Sequence, residues 1–582
     1  MRRILIGTSA LPDSPDDSKS SYKGSSRSRL FTVLGLFILC FAVLSARLID
    51  VSLLRDGGEP SITRAGSDRP GATGRADILD RNGVLLATTL RTPSLYANPR
   101  VLLDPEEAAK KLTTVLPDLS YNVLIQKLIS KRSFAWLKRG LTPLQQHQVN
   151  SLGIPGLGFL DEYRRIYPQA DLTSHIVGFC GIDNVGLSGI ESRYNAELTA
   201  PDRLGQAISL SLDIRVQNVL HNELSEAVKT FQAVGAAGVV MDVESGEILA
   251  MVSLPDFDPN RFSEANAESR FNRASLGIYE MGSTFKAFTV AAALDTGIIN
   301  LKSRYDATNP LRVARYWIRD DHAKNRWLSV PEIFIYSSNI GAAKMALDLG
   351  GDRQKAFLDK LGLLSPSTVE LPEVAKPMWP QPWREDSTMT VGFGHGIAVS
   401  PIKIAAAIAS LVNGGYRIDE TLIRGKSVSA KPGDRVKSVS AKPGDRVVSA
   451  HTSKMMRALL RLVVTDGTGS QAEAVGYSVG GKTGTAEKPG KRGYRRDALI
   501  SSFVGVFPSV APRFLVLAVL DEPKGTKATH GFAGGGWTAA PTVSRVISKI
   551  GPMLDVMPIR EKDAESHMIL EISSEEENLE AF

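Results

Sequence analysis

Cysteine is nearly absent: 582 residues contain only Cys40 and Cys180. Two thiols build neither a disulfide framework nor a cysteine zinc site. The eight histidines are scattered, with no His-Glu-x-x-His and no paired spacing, so metal catalysis is not expected. Phosphate cradles are missing too. Gly392-Phe393-Gly394 and Gly534-Gly535-Gly536 lack the strand-loop-helix context and read as loops. With no nucleic-acid module and no interleaved arginine and aromatic patch, the net charge of +7 reads as solvated surface rather than a nucleic-acid face. A chain 43% apolar and 23% charged is not disordered, and its length exceeds one core, predicting about three modules at ~100–200 residues each.

The net charge hides an asymmetry. Residues 1–29 carry +3 and residues 561–582 carry −7, which leaves +11 on the body between them. Long hydrophobic runs are also scarce, with one exception. Leu30 to Ala46 is seventeen residues without a charge, flanked by Arg27, Arg29 and Arg47. This length predicts a membrane span with its basic N-terminal flank in the cytoplasm and the rest exported. A cleaved signal peptide fits less well, because the run is longer than such a segment and Leu44-Ser45-Ala46 lacks a small residue two places before a cut. Cys40 lies inside the run without a lipidation context and reads as an inert buried thiol.

Beyond the span, residues 50–75 read as a linker rich in Gly, Ser, Arg and Asp. From 76 to 232 short strands and turns dominate, beginning with an Asn82-Gly83 hairpin signal between Ile78 and Ala87. Helical patterns follow at Pro105 to Val115 and Tyr121 to Leu128. Around Ala236 the character changes. Ala237–Val243 and Glu247–Val252 form a predicted hairpin, Leu499–Phe507 and Arg513–Leu520 two further strands, and Ala540–Ile550 a helix. Strands at both ends with helices between predict one sheet assembled from distant parts of the chain.

Three short patterns lie in this last region. Ser283-Thr284-Phe285-Lys286 opens a helical run and places serine and lysine, three apart, on one face of its first turn. There an ammonium can hold or take the hydroxyl proton, and the positive helix end favours developing negative charge. Alone this is weak: Ser283 could be only an N-cap, and Ser-x-x-Lys recurs at Ser20 to Lys23 and Ser400 to Lys403. Order decides between the copies. Ser337-Ser338-Asn339 follows Ser283, and Lys482-Thr483-Gly484-Thr485 comes after it, just ahead of the strand at Leu499. No Ser-x-Asn lies between Ser400 and Lys482, and Ser20 is in the cytoplasmic tail.

The three motifs in this order resemble the active-site serine acyltransferases that include penicillin-binding proteins and serine β-lactamases. The segments Arg75–Gly83, Arg164–Pro168, Gly186–Glu191 and Leu210–Asp213 are similar to successive motifs of the non-catalytic module of class B penicillin-binding proteins, although Ala76 replaces an expected glycine. Within that family, Tyr279–Gly282, Phe334–Tyr336 and Gly392–Gly396 look most like the septal, cell-division D,D-transpeptidase of alphaproteobacteria. The fold implied is an α/β multi-domain chain. It comprises a cytoplasmic tail (1–29), a single transmembrane helix (30–49), the linker (50–75), an α+β non-catalytic pedestal of dimerisation type (76–232), a penicillin-binding/serine β-lactamase-like transpeptidase domain of antiparallel sheet with helices (233–552), and an acidic tail (553–582).

The resemblance also implies the chemistry, which needs no cofactor. Ser283 would attack the penultimate D-alanine carbonyl of a stem pentapeptide with Lys286 as general base. Ser337, Asn339 and Lys482 would complete the network, Ser337 passing a proton to the leaving amine and Asn339 holding the donor peptide. The amides of Ser283 and Thr485 would form the oxyanion hole. The Thr483 and Thr485 hydroxyls would take the terminal carboxylate, and Gly484 would let a peptide strand lie along the sheet edge. Expected partners are stem pentapeptides, β-lactams, a polytopic glycosyltransferase and other divisome membrane proteins, with the catalytic domain in the periplasm. The elongation-specific relative, a β-lactam hydrolase or sensor, and a non-catalytic scaffold remain open alternatives. His395 reads as a structural histidine before a proton carrier; Tyr316 and Trp317 line a groove or pack in a core. Residues 426–436 are repeated without change at 437–447, which predicts an exposed basic loop insert without catalytic duty.

Overall fold

The computed structural model describes residues 39, 41–45, 74–201, 206–313, 316–425, 445–490 and 493–558. Leu39 and residues 41–45 are helical and exposed, and the remainder of the predicted span, the cytoplasmic tail and the linker up to residue 73 lie outside the described residues. No described helix is long and apolar enough to cross a membrane. The chain divides into two units, Met1–Ala72 and Thr73–Phe582, and both folded modules lie in the second.

The pedestal is built on a sheet of five strands. β1 (Ile78–Leu79) turns back into the long β2 (Leu85–Ala97) through the predicted Asn82-Gly83 turn. Gly83 has φ +85°, and the Asp80 carboxylate accepts from the amides of Asn82 and Val84, both at 2.7 Å. β3 (Ala135–Lys138) and β4 (Leu157–Ile166) pair with β2, and β5 (Ile208–Ser209) pairs with β1. The helix Pro105–Val115 starts at Asp104, whose side chain caps the Glu106 and Glu107 amides, with proline in the first turn. It buries Ala108, Ala109 and Leu112, and with the helix Tyr121–Leu128 it packs a small core of its own against β2 and β3.

The motifs read from the pedestal sequence converge on one buried charge. Glu191 has no exposure and receives Arg75 Nε at 2.8 Å on one oxygen and Arg165 Nε at 2.6 Å on the other. Arg75, placed by sequence at the end of the linker, is thus buried in the module, where it also donates to Asn195 Oδ1 at 2.7 Å. Ala76 is accommodated: it is buried, and its amide donates to Leu198 O at 2.9 Å. Cys180 is buried nearby, and burial pushes its thiol up to about 12, so the thiolate is not populated at neutral pH.

The second module is organised around five antiparallel strands. β6 (Gly235–Asp242) and β7 (Ile248–Leu254) come from its start. Two short ribbons follow, β8 (Arg304–Asp306) with β11 (Trp327–Ser329), and β9 (Leu311–Val313) with β10 (Tyr316–Ile318). β12 (Gly480–Gly490), β13 (Gly493–Phe507) and β14 (Phe514–Asp521) come from its end, and the main sheet runs β12-β13-β14-β6-β7. β14 sits against β6 with Leu517 opposite Val239, so the two ends of the region share one sheet, as the strand pattern predicts.

Both faces of this sheet are covered. Val240, Val516, Ala518 and Leu520 point into a core with the helices Ile214–Phe231 and Ala539–Ile550. Val239, Met241, Leu515 and Leu517 point to the other side, toward the helices Lys286–Asp295, Pro401–Val412 and Ala450–Thr465. The alternation is the period of two expected of a strand, and burial on both faces explains the unbroken apolar runs. The helix Ile214–Phe231, grouped by sequence with the pedestal, therefore packs on the second module's sheet. Of the duplicated insert, residues 426–444 lie outside the described residues. The end of its second copy is not a free loop: Val447 is buried and its amide donates to Gly415 O at 2.7 Å.

Candidate active site

The serine does not open an α-helix. Gly282–Phe285 is a 3₁₀ turn, and the α-helix begins at Lys286. No side chain caps this junction, so Ser283 is not an N-cap. In the tighter turn, residues i and i+3 still fall on one side, and Lys286 Nζ reaches Ser283 Oγ at 2.8 Å. The turn is possible because Gly282 takes φ +49° and lies on the backbone of β12. A methyl added there would stand 2.3 Å from Thr485 O and 3.4 Å from Thr485 N. The Ser283 and Thr485 peptides, expected to share an oxyanion, are therefore neighbours.

The second motif occupies the turn between the helices Val330–Ile335 and Asn339–Leu349. Ser337 is held at φ +59°, a left-handed conformation rare for serine, and its carbonyl accepts from Lys286 Nζ at 2.5 Å. The same ammonium reaches Ser337 Oγ at 3.1 Å and Asn339 Oδ1 at 2.7 Å. Ser338 faces away and caps the following helix. The third motif arrives from the edge strand: Lys482 Nζ lies 3.1 Å from Ser337 Oγ and 5.8 Å from the Phe334 ring centroid. The motifs, nearly two hundred residues apart in sequence, thus meet at two lysines and one hydroxyl.

Both lysines are fully buried. Burial lowers Lys286 to about 7, with the carboxylates of Asp320 and Asp321 working in the opposite direction. Lys482 is held well below the usual lysine value too, by burial and then by the Lys286 charge. Two ammoniums this close do not both hold their protons readily near neutral pH. One neutral amine can then take the Ser283 proton, and the Ser337 hydroxyl connects it to the second.

The substrate-side residues of the third motif do not all face the same way. Thr485 is exposed at the cleft, and its Oγ1 accepts from Gly535 N at 3.0 Å. Thr483 is nearly buried, its hydroxyl 2.8 Å from that of Thr468. Gly484 does not serve to open the sheet edge. Alternation turns it to the opposite face, beneath the serine turn, where a methyl would stand 2.3 Å from Ser502 Oγ and 2.5 Å from Met281 O.

Sequence reasoning missed three contributors. Asp320 anchors the second motif, accepting from Ser338 Oγ at 2.7 Å and Ile340 N at 3.0 Å, yet no motif marks it. Gly535, read as plain loop, backs the third motif: a side chain there would strike Ser502 O and Gly484 O. Glu280 accepts from Gly396 N at 3.1 Å and Tyr494 Oη at 2.9 Å, tying the segment before the serine to two others. The His395 ring centroid lies 4.8 Å from that of Tyr494, and burial and the Lys286 charge keep its pKa below the usual histidine value. Ser400 and Lys403, the other Ser-x-x-Lys of this module, are separated in role: Ser400 precedes the helix Pro401–Val412 and Lys403 pairs with Glu420 at 3.5 Å.

Residues 236–547 match the penicillin binding protein transpeptidase domain. The chain belongs to this family. The pedestal of this penicillin-binding protein matches the penicillin-binding protein dimerisation domain over residues 71–207. Among its relatives, the probable peptidoglycan D,D-transpeptidase FtsI of Caulobacter vibrioides is 39% identical over 91% of this chain and 89% of its own. The peptidoglycan D,D-transpeptidase FtsI of Escherichia coli is 28% identical over 84% and 85%. The crystal structure of penicillin binding protein 3 from Mycobacterium tuberculosis complexed with aztreonam superposes with a TM-score of 0.66 at 22% identity, covering 84% of this chain and 98% of that one, which shows a shared fold.

Proposed function

We propose that this penicillin-binding protein is the peptidoglycan D,D-transpeptidase of the division septum and a β-lactam target. The observation that carries the reading is the Lys286 ammonium, which touches Ser283, Ser337 and Asn339 at once while Lys482 shares the Ser337 hydroxyl. In the neutral state Lys286 takes the Ser283 proton as Oγ bonds to the penultimate D-alanine carbonyl carbon. The amides of Ser283 and Thr485 stabilise the oxyanion. The carbon–nitrogen bond to the terminal D-alanine breaks, and its nitrogen receives a proton through Ser337. An acceptor amine from a neighbouring stem then attacks the ester, forming the cross-link and returning the proton to Ser283. The Thr483 and Thr485 hydroxyls, beside Lys482, receive the terminal carboxylate.

Leu30 to Ala46, with its basic flank, anchors the chain in the inner membrane as a single span, N-terminus inside and folded modules in the periplasm. The partners are a polytopic glycosyltransferase and other division proteins of that membrane. Among the described residues no carboxylate hydrogen-bonds to Ser283, Lys286, Ser337 or Lys482, which favours a long-lived acyl-enzyme over a hydrolase. Fluorescent penicillin on growing cells tests the reading: stable label at midcell is expected, and Ser283→Ala abolishes both label and cross-linking. Rapid loss of label identifies a hydrolase, label along the side wall the elongation relative, and division that tolerates Ser283→Ala a scaffold.

A further inference from the structure

The excursion between the first and second motifs returns to the active site at both ends and carries large aromatic side chains in solvent. Tyr316 is 78% exposed, Trp317 54% and Trp327 55%, whereas their neighbours Val313, Ile318 and Leu328 are buried. The two ribbons thus bury their aliphatic side chains and leave the tyrosine and the tryptophans largely in solvent. Trp317 stands directly opposite Arg312 across the ribbon, so guanidinium and indole share its outer face. Arg319 follows at the end of β10, and its carbonyl accepts from Asn339 Nδ2 at 2.9 Å, which fixes the ribbon to the second motif. Lys324, farther along, lies 4.3 Å from the ring centroid of Tyr336, the residue before Ser337. Arg312, Arg319 and Lys324 are all exposed, while Asp320 is committed to Ser338 and Ile340.

We propose that this face is a docking platform for the wall polymer outside the reacting D-alanines: a glycan strand of amino sugars carrying acidic stem peptides. The occupant is set by chemistry. Pyranose rings offer apolar faces to an indole, and the free carboxylates of stem peptides match arginines that present planar donor forks. The platform rests on the transpeptidase reading, because only a polymeric substrate extends from Asn339 along the ribbon. It deepens that reading by separating polymer capture from capture of the reacting bond.

The test uses the full-length chain in detergent, acylated with benzylpenicillin so that Ser283 is blocked, and measures co-sedimentation with purified cell-wall sacculi. Trp317→Ala and Arg312→Glu are each expected to weaken sacculus binding roughly tenfold, the loss typical of a truncated interface anchor. Both positions are at the surface, and thermal unfolding checks that the fold is retained. Wild-type sacculus binding by both variants overturns the platform, as does equal loss with a charge reversal at the distant surface residue Lys110. Failure of the unsubstituted chain to be labelled by penicillin refutes the transpeptidase reading instead, and leaves the sacculus comparison intact.

Discussion

Lys286 and Lys482 both reach the Ser337 hydroxyl at 3.1 Å, and neither has contact with water. Burial disfavours the charged form of each, and proximity disfavours charging both. With the amine form as the proposed base, acylation by a β-lactam is expected to rise as pH increases through about 7, the value to which Lys286 is lowered, and to level above it. The pH dependence of acylation rate, followed by fluorescence, checks this; an acid limb near the usual lysine value would remove Lys286 as the base. The hydroxyl itself is held by a backbone at φ +59°, so strain is stored where both lysines meet.

At the scale of elements, the site is a contact between a 3₁₀ turn and an edge strand. Gly282 and Gly484 make the contact possible from its two sides, since a methyl on either would meet backbone oxygen closer than 2.6 Å. Gly282→Ala is expected to lift Ser283 from β12 and slow penicillin acylation by roughly a hundredfold, the scale of a misplacement of about 1 Å. Thermal unfolding measured alongside separates that local shift from loss of the fold. An unchanged acylation rate would show that the Ser283 and Thr485 amides need not be held together by this packing.

At the scale of the molecule, the pedestal and the catalytic module are joined by hydrogen bonds from the motif segments. Ser211 Oγ donates to Ile248 O at 2.8 Å, and the Gly189 amide donates to Glu373 Oε1 at 3.2 Å. Glu191 is the charge on which the pedestal closes, and Glu191→Ala leaves two buried guanidiniums without their carboxylate. A loss of about 3 kcal/mol or more is expected in denaturant unfolding of the pedestal, with penicillin acylation of the remaining folded protein unchanged. Deleting residues 426–436 is expected to leave the acylation rate unaltered. The repeat is without a mismatch, so removing either copy keeps the same residues leading into buried Val447. A large loss of activity would show that the length of the insert matters.

The strands, several helix limits and the catalytic residue types were legible because each depends on local order in the chain. Pro105–Val115 is bounded by its own cap and proline, β6 and β14 by apolar runs, and the serine acyltransferase chemistry by three motifs in a fixed succession. Tertiary structure alone decided what those residues touch. The 3₁₀ turn at Ser283, the inward side of Gly484, the anchoring by Asp320 and the backing by Gly535 all arise where segments distant in sequence press together. The same holds for Tyr316 and Trp317, whose composition fits a core equally well: a ribbon pinned at Asn339 leaves them in solvent. Sequence records which side chains are available, and close packing between remote elements assigns each to core, catalysis or surface.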